Sequence, residues 1–399
     1  MKICLITPLF EPWLVGGAEK YVSTLADQLS ATNDVTVVTT TGPRKREVGV
    51  SNRNLRLIEL TINNVASLYD ILKSSSNVSM LRRAIWHLLD VWNASCYKQI
   101  RRVLETEKPN IVHTNGIKGL SASVFTAIKR SGIPHVHTLH DYELISRWSS
   151  LFRSGTVMSS FNMLDKSYIS CMRSLSSHVN GVISPSQFIL DFHTKLGYFR
   201  KSEKYVIPNG ISLNAGAVAK SRMSKEFLCI GQIAKHKGIQ VAIEAFRKIN
   251  DNEATLHIVG NGDYISTIRE LAQSDQRISI HGFVEDQHTL DALYERCSFF
   301  IFPSIWYENF PLVINEAMIR GLPVIGSNIG GVPELVRNGH NGFLFEPGNA
   351  ESLFQILNQI TAGSVRLNDL SKNAINSALK YPIENQIEQV LVVYRNHAK

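Results

Sequence analysis

The chain has 399 residues, 44% of them hydrophobic and 19% charged, and its 42 Lys+Arg against 34 Asp+Glu give a net charge of +8. That balance excludes a disordered polypeptide and leaves room for two cores of ordinary domain size. The charge is uneven, with 25 Lys+Arg against 15 Asp+Glu through Tyr205 and 17 against 19 beyond it; an anionic partner suits the first half, and the lack of a zinc finger, RNA-recognition signature or long Lys/Arg run speaks against nucleic acid.

The opening MKICLITPLF holds one lysine and a short apolar run, too brief and wrongly flanked for a signal peptide. No apolar run approaches the roughly 20 residues of a membrane span. Residues 2–7 read as a buried strand, 18–31 as a helix and 35–40 as the next strand. Further on, Leu81, Ile85, Leu88, Leu89, Trp92, Cys96, Ile100, Val103 and Leu104 recur at three- and four-residue steps. Arg82, Arg83, Lys98, Arg101 and Arg102 occupy the other faces. One helix of this kind packs on its own sheet or lies on an anionic membrane. Strands are expected at 111–114, 135–138, 181–184 and 204–207. The turn Pro208-Asn209-Gly210 then leads into an Ala-, Ser- and Gly-rich stretch, 211–225, that reads as a linker.

A second series follows, with strands at 227–231, 256–260, 278–282, 299–303 and 323–326, and helices at 238–249, 264–273 and 311–320. Pro311 suits a helix start and Gly321 a helix end. Residues 384–397 read as a closing helix. Alternating strands and helices define an α/β protein with parallel sheets. Residues 1–212 are expected to form one domain, 213–381 a second, and 382–399 to pack back on the first. The five cysteines are far apart, without CxxC or zinc-ligand spacing, so neither disulfides nor a metal are expected and a reducing cytoplasm is the natural setting.

Three strand-to-helix loops carry the chemistry. In Pro12-Trp13-Leu14-Val15-Gly16-Gly17-Ala18-Glu19, paired glycines let backbone amides approach a phosphate at a helix start, or simply make a tight turn. The spacing is not GxGxxG, so a dinucleotide fingerprint is absent. In Gly231-Gln232-Ile233-Ala234-Lys235-His236-Lys237-Gly238, Lys237 sits just before a helix, where an ammonium neutralises a diphosphate or is merely solvated. In the third loop, Glu308 precedes a helix and Glu316 sits on its second turn. The orphan amides around Asn309, Phe310, Pro311 and Leu312 lie between them at the positive helix end. A sugar nucleotide along that segment meets one carboxylate at its sugar hydroxyls, the helix end at its diphosphate and the other carboxylate at its ribose. Alone, the two glutamates also suit an ordinary buried helix.

The Glu308-to-Glu316 segment resembles the E-x7-E signature of retaining GT-B glycosyltransferases, family 4, and the resemblance runs through nearly the whole chain. The glycine pair, His113-Thr114-Asn115, Leu139-His140-Asp141-Tyr142, Pro208-Asn209-Gly210, Lys237-Gly238, Gly260-Asn261-Gly262, His281-Gly282-Phe283-Val284 and Gly330-Gly331-Val332-Pro333-Glu334-Leu335 stand in the expected order. The resemblance implies the GT-B fold: two Rossmann-like, doubly wound domains facing across a cleft. It implies a retaining, metal-free transfer from a nucleotide-diphosphate sugar to an acceptor; the basic 81–104 stripe adds the expectation of a glycan or lipid-linked acceptor, as in polysaccharide assembly, with peripheral association at the inner face of the cell membrane. Glu308 is then expected at the donor-sugar hydroxyls and Glu316 at the ribose. Lys237 is expected on the departing diphosphate and His140 near the transferred sugar. Gly16, Gly17, Gln232, Asn309, Phe310, Pro311 and Leu312 are expected to complete the donor site, and Asn115 and Arg153 to touch sugar or acceptor. Two positions depart from the family pattern: Gln232 stands where arginine is usual, and Asn115 where histidine or aspartate is frequent. The acidic pair in Asp251-Asn252-Glu253 falls in an expected surface turn and is no metal motif. A sugar-nucleotide epimerase or hydrolase, and a catalytically silent sugar-nucleotide-binding protein, remain the alternatives.

Overall fold

A computed structural model describes residues 1–13, 16–42, 54–72, 78–153, 155–158, 160–213, 219–221 and 223–398. Leu14 and Val15 of the first glycine loop, and 214–218 with Arg222 of the expected linker, lie outside the described residues. The chain divides into two compact units: Met1–Ser150 with Ser159–Pro208 and Gln386–Lys399, and Leu151–Met158 with Asn209–Asn385.

In chain order the strands are β1 (Lys2–Ile6), β2 (Asp34–Thr40), β3 (Leu55–Leu60), β4 (Ile111–Thr114), β5 (His135–Thr138), β6 (Phe152–Arg153), β7 (Thr156–Val157), β8 (Gly181–Ser184), β9 (Glu203–Val206), β10 (Glu226–Ile230), β11 (Thr255–Val259), β12 (Ile278–Gly282), β13 (Phe299–Phe302), β14 (Val324–Ser327) and β15 (Gly342–Phe345). The first unit's sheet runs β3-β2-β1-β4-β5-β8-β9 and the second's β12-β11-β10-β13-β14-β15, parallel throughout. β6 and β7 form a separate antiparallel pair. Each large sheet is doubly wound, reversing strand order between β1 and β4 in one unit and between β10 and β13 in the other.

Parallel strands are covered on both faces, which is why they read as unbroken apolar runs rather than alternating ones. In β10, Phe227 and Cys229 pack with Leu256, Ile258, Phe299 and Ile301, while Leu228 points to the other face with Phe300 and Val324. That two-residue period puts neighbours in two different cores. In the first unit, Ile3, Leu5, Val37 and Val136 meet Val22, Leu25 and Leu29 of the helix Gly17–Ser30. Val390, Val393 and Tyr394 of the last helix, Ile383–His397, join the same core. Each such fully buried Leu, Val or Ile contributes about 1.5–3 kcal/mol.

The apolar stripe expected on one helix is carried by two, Met80–Val91 and Ala94–Glu107. Asn93 breaks it, because its side-chain oxygen accepts from the Ser95 and Cys96 amides and caps the second helix. The two halves have different fates. Cys96, Ile100 and Leu104 are buried, whereas Leu81 and Leu88 are 71% and 72% exposed. Among the described residues, no helix is long and apolar enough to cross a membrane.

Candidate functional site

In doubly wound sheets, ligands gather beyond the strand carboxyl ends at the point where strand order reverses. The second unit puts Lys237 after β10 and Glu308 after β13, the two strands that flank this point. Lys237 ends a short turn, Lys235–Lys237, closed by Gly238 at φ +70°. A β-carbon at Gly238 would lie 1.9 Å from the Pro303 carbonyl oxygen, so only glycine lets the two loops meet this closely. The Ile305 amide donates to the His236 carbonyl at 2.9 Å and fixes their register.

That docking brings the two predicted residues into direct contact. Glu308 Oε1 accepts from Lys237 Nζ at 2.7 Å, from Ser304 Oγ at 2.8 Å and from Trp306 Nε1 at 2.6 Å, so all three donors fall on one oxygen. Lys237 Nζ also stands 5.0 Å from the Trp306 ring centre. Glu308 is only 6% exposed. Burial alone raises a carboxyl pKa, but the Lys237 charge and the three donors outweigh it and hold Glu308 below the usual range. The main chain at Glu308 is pinned as well. Its carbonyl accepts from the Gly331 amide at 2.8 Å, and a β-carbon on Gly330, at φ +60°, would sit 2.3 Å from that oxygen. The two glycines at 330–331 are thus part of the carboxylate's mounting.

The following helix is Leu312–Ile319, with Pro311 as its cap at φ −70° and ψ 108°. Pro311 was expected inside the helix; it stands one residue outside, in extended backbone. Glu316 is half-buried on the second turn, where its carbonyl accepts from Arg320, and Gly321 ends the helix at φ +78°. Phe310 is buried with its ring 5.5 Å from Tyr381, while Asn309 and Leu312 are half-buried and Gln232 is exposed. Arg153 is exposed on β6 and belongs to the second unit, whereas Asn115 belongs to the first. Its neighbour Phe152 packs at 6.0 Å on the His236 ring, which lies 4.7 Å from Trp306.

The first unit builds a different kind of site. Asn115 follows β4 and His140 follows β5, and His140 Nε2 donates to Asn115 Oδ1 at 3.1 Å. The Tyr21 ring packs on His140 at 4.7 Å. Burial pushes the His140 pKa down to about 3, so the imidazole is neutral. Beneath it lies a histidine-rich core. His113 bridges Tyr394 Oη and Thr138 Oγ1 at 2.6 Å each, and Thr114 Oγ1 lies 2.8 Å from both His135 Nε2 and His137 Nδ1. At the glycine pair, Gly16 caps the helix and Gly17 opens it, but the Gly16 amide already donates to Glu19 Oε2 at 2.8 Å. One amide expected to face a phosphate is therefore taken by a carboxylate.

Two acidic clusters elsewhere are closed by the chain's own cations. Lys225 Nζ lies 2.8 Å from both Asp251 and Glu253. Glu226, His257 and Cys297 hold their polar atoms within 4.8 Å of one another, yet Glu226 Oε2 already bonds His257 Nε2 at 3.0 Å and the Arg296 guanidinium. Ser304, Trp306 and His236 were not singled out from sequence, and the glycines at 330–331 were recognised as a motif but not as this mounting. The first two stand four and two residues before Glu308, the one positional hint available.

Two Rossmann-like, doubly wound sheets, with a lysine bonded to a buried glutamate where strand order reverses in the second and an asparagine–histidine pair past adjacent strand ends in the first, define an α/β protein with ligand-binding loops at its strand carboxyl ends. HepE of Anabaena, solved in complex with UDP, matches this fold at a TM-score of 0.73 and 20% identity, covering 99% of this chain and 100% of that one. Sucrose-phosphate synthase of Thermosynechococcus elongatus matches at 0.75 and 20%, covering 99% and 98%. The family model for Glycosyltransferase Family 4 matches residues 15–215, and that for Glycosyl transferases group 1 matches 214–377. The chain belongs to the GT-B glycosyltransferases of family 4. It is 27% identical over 340 residues to an uncharacterized 42.6 kDa protein in the cps region of Klebsiella pneumoniae, covering 84% of this chain and 88% of the relative. It is 26% identical over 326 residues to the UDP-Gal:α-D-GlcNAc-diphosphoundecaprenol α-1,3-galactosyltransferase of Escherichia coli, covering 73% and 77%.

Proposed function

We propose that this glycosyltransferase moves a sugar, with retained configuration, from a UDP-sugar to a lipid-linked glycan acceptor in cell-surface polysaccharide assembly. UDP is supported by the nucleotide named for HepE and by the UDP-Gal donor named for the E. coli relative. The acceptor class is supported by that relative's diphosphoundecaprenol substrate and by the cps region of the K. pneumoniae protein.

The observation that carries this reading is the Lys237–Glu308 pair at the β10/β13 switch point. Glu308 Oε1 is spent on three donors, which leaves Oε2 for a donor-sugar hydroxyl. Lys237 and the helix start at Asn309–Leu312, aided by Gln232, meet the charge that develops on the departing diphosphate, with no metal in the scheme. Glu316 takes the ribose. Neutral His140, held by Asn115, offers the transferred sugar a polar contact without a competing charge; Gly16 and Gly17 border it, and Arg153 is a further sugar contact. Exposed Leu81, Leu88 and Trp92, near Arg82 and Arg83, suit peripheral contact with an anionic membrane on the cytoplasmic side.

The test is a panel of UDP-, GDP- and ADP-sugars, incubated first alone and then with sugar-diphosphate lipids. Turnover that appears only with the acceptor supports transfer. Complete turnover without one contradicts it, and an inverted product anomer contradicts retention.

A further inference from the structure

Outside the groups used above, the first unit has an aromatic and cationic surface on the loops after β4 and β5. Trp148 is 50% exposed although it sits on a structured loop, its amide bonded to Ser146 Oγ. It is also supported from behind. The His87 ring packs on it at 4.5 Å, and His87 in turn lies 5.2 Å from Trp86. Trp86 is fully buried and anchored by Nε1 to the Ala66 carbonyl at 3.1 Å. An indole fixed this way is a rigid platform whose open area costs little entropy to cover.

One cation adjoins it, and a second shares a pocket with the first. Arg147 has its guanidinium carbon 5.5 Å from the Trp148 ring centre, and its Nε is buried without a hydrogen-bond partner. Arg147 and Lys118 line one small pocket with Asp90 and Glu143. Neither cation belongs to an ion pair among the described residues. The two carboxylates are spent on main chain instead. Asp90 accepts from the Gly119 amide at 2.6 Å, and Glu143 accepts from Ile117 and Lys118 at 3.0 and 3.1 Å. Burial also drives both carboxyl pKa values upward, Asp90 to about 7, which thins the negative charge facing the cations. The chain that carries Lys118 carries Asn115 three residues earlier, and the loop that carries Trp148 begins at His140.

We propose that Trp148, Arg147 and Lys118 form the acceptor subsite, with the indole stacking on the acceptor's sugar ring and the two cations holding the phosphate attached to that sugar. The subsite rests on the transferase reading and narrows its acceptor to a sugar carried on a phosphate or diphosphate. A neutral pyranose has an apolar C–H face suited to an indole, and a phosphate beside it suits a guanidinium and an ammonium.

Binding tests this without requiring turnover. Short-prenyl diphosphates of GlcNAc, glucose and galactose, the matching methyl glycosides and the bare prenyl diphosphate are titrated into the full chain in the presence of UDP. At least one sugar diphosphate should bind about 10-fold more tightly than both its methyl glycoside and the bare prenyl diphosphate. Trp148→Ala, Arg147→Gln and Lys118→Gln should each weaken it about 10-fold, with UDP affinity and melting temperature unchanged. Failure of all three sugar diphosphates to bind overturns the subsite, as does equal binding of the bare prenyl diphosphate, which would mark a lipid-phosphate surface. Equal affinity in the three variants and the parent also overturns it. Binding that behaves as expected without turnover on any donor would instead sink the transferase reading and leave the subsite standing.

Discussion

The two units share a strand order yet place contrasting electrostatics beyond their strand carboxyl ends. In the second, β10 and β13 deliver a lysine and a buried glutamate 2.7 Å apart, an arrangement that keeps the carboxyl ionised. In the first, β4 and β5 deliver an asparagine and a histidine 3.1 Å apart, and burial keeps that histidine neutral. Topology therefore decides where polar side chains converge, and the loops decide what they can hold. A charged pair suits a diphosphate donor; a neutral pair suits sugar hydroxyls.

Breaking the charged side should have the largest effect. Glu308→Ala is expected to lower kcat about 1000-fold, roughly 4 kcal/mol of transition-state stabilisation, while UDP affinity changes little. Glu316→Ala should do the reverse, weakening UDP about 10-fold with a smaller change in kcat. Similar small effects from both, in steady-state kinetics and calorimetry, would make the segment structural.

Lys237→Ala strands a buried carboxylate, so it should also destabilise the second unit by about 3 kcal/mol in denaturant titrations. The parent pair, with Glu308 held low, contributes stability above the usual carboxyl range that fades as pH falls through its folded value. Without Lys237 the Glu308 pKa should rise, moving this loss to higher pH.

The neutral side should betray itself in acid. Burial lowers His137 and His140 from 6.5 to about 3, and His193 to about 4. The unfolded chain then binds protons first, so stability is full above pH 6.5 and falls by about 1.4 kcal/mol per pH unit for each such histidine between 6.5 and 4. His193 has a buried Nε2 without a partner, so His193→Phe should flatten that slope by one proton. An unchanged slope would show that these histidines do not set it. The smallest expected effect is Gln232→Arg. Restoring the family's usual arginine on this exposed loop should tighten UDP about 3-fold at low salt.

Much of the fold was legible because buried parallel strands are short apolar runs bounded by Gly, Pro or Asn; residues 111–114, 135–138 and 181–184 were read to the residue. β3, with its LRLIEL alternation at a sheet edge, and the four-residue β15 carry too little pattern to stand out. The 81–104 stripe misled for another reason. Its three- and four-residue rhythm continues across Asn93, and periodicity cannot say which half is covered. At the site, Lys237 and Glu308 were visible in strand-to-helix loops, and Asn115 and His140 through the family motifs that hold them. The bond between Lys237 and Glu308, the clustering of Ser304 and Trp306 on one oxygen, and the filling of the Gly16 amide by Glu19 were not. Those depend on how two loops from different strands meet, which no local spacing records.

The central claim is that charge for the donor resides in the second unit and not at the first unit's histidine. Calorimetric titration of UDP into Lys237→Ala and His140→Gln tests it most directly. The account predicts a loss of affinity of about 10-fold or more for the first and less than about 2-fold for the second. Equal losses in the two variants, or a larger one in His140→Gln, would contradict it.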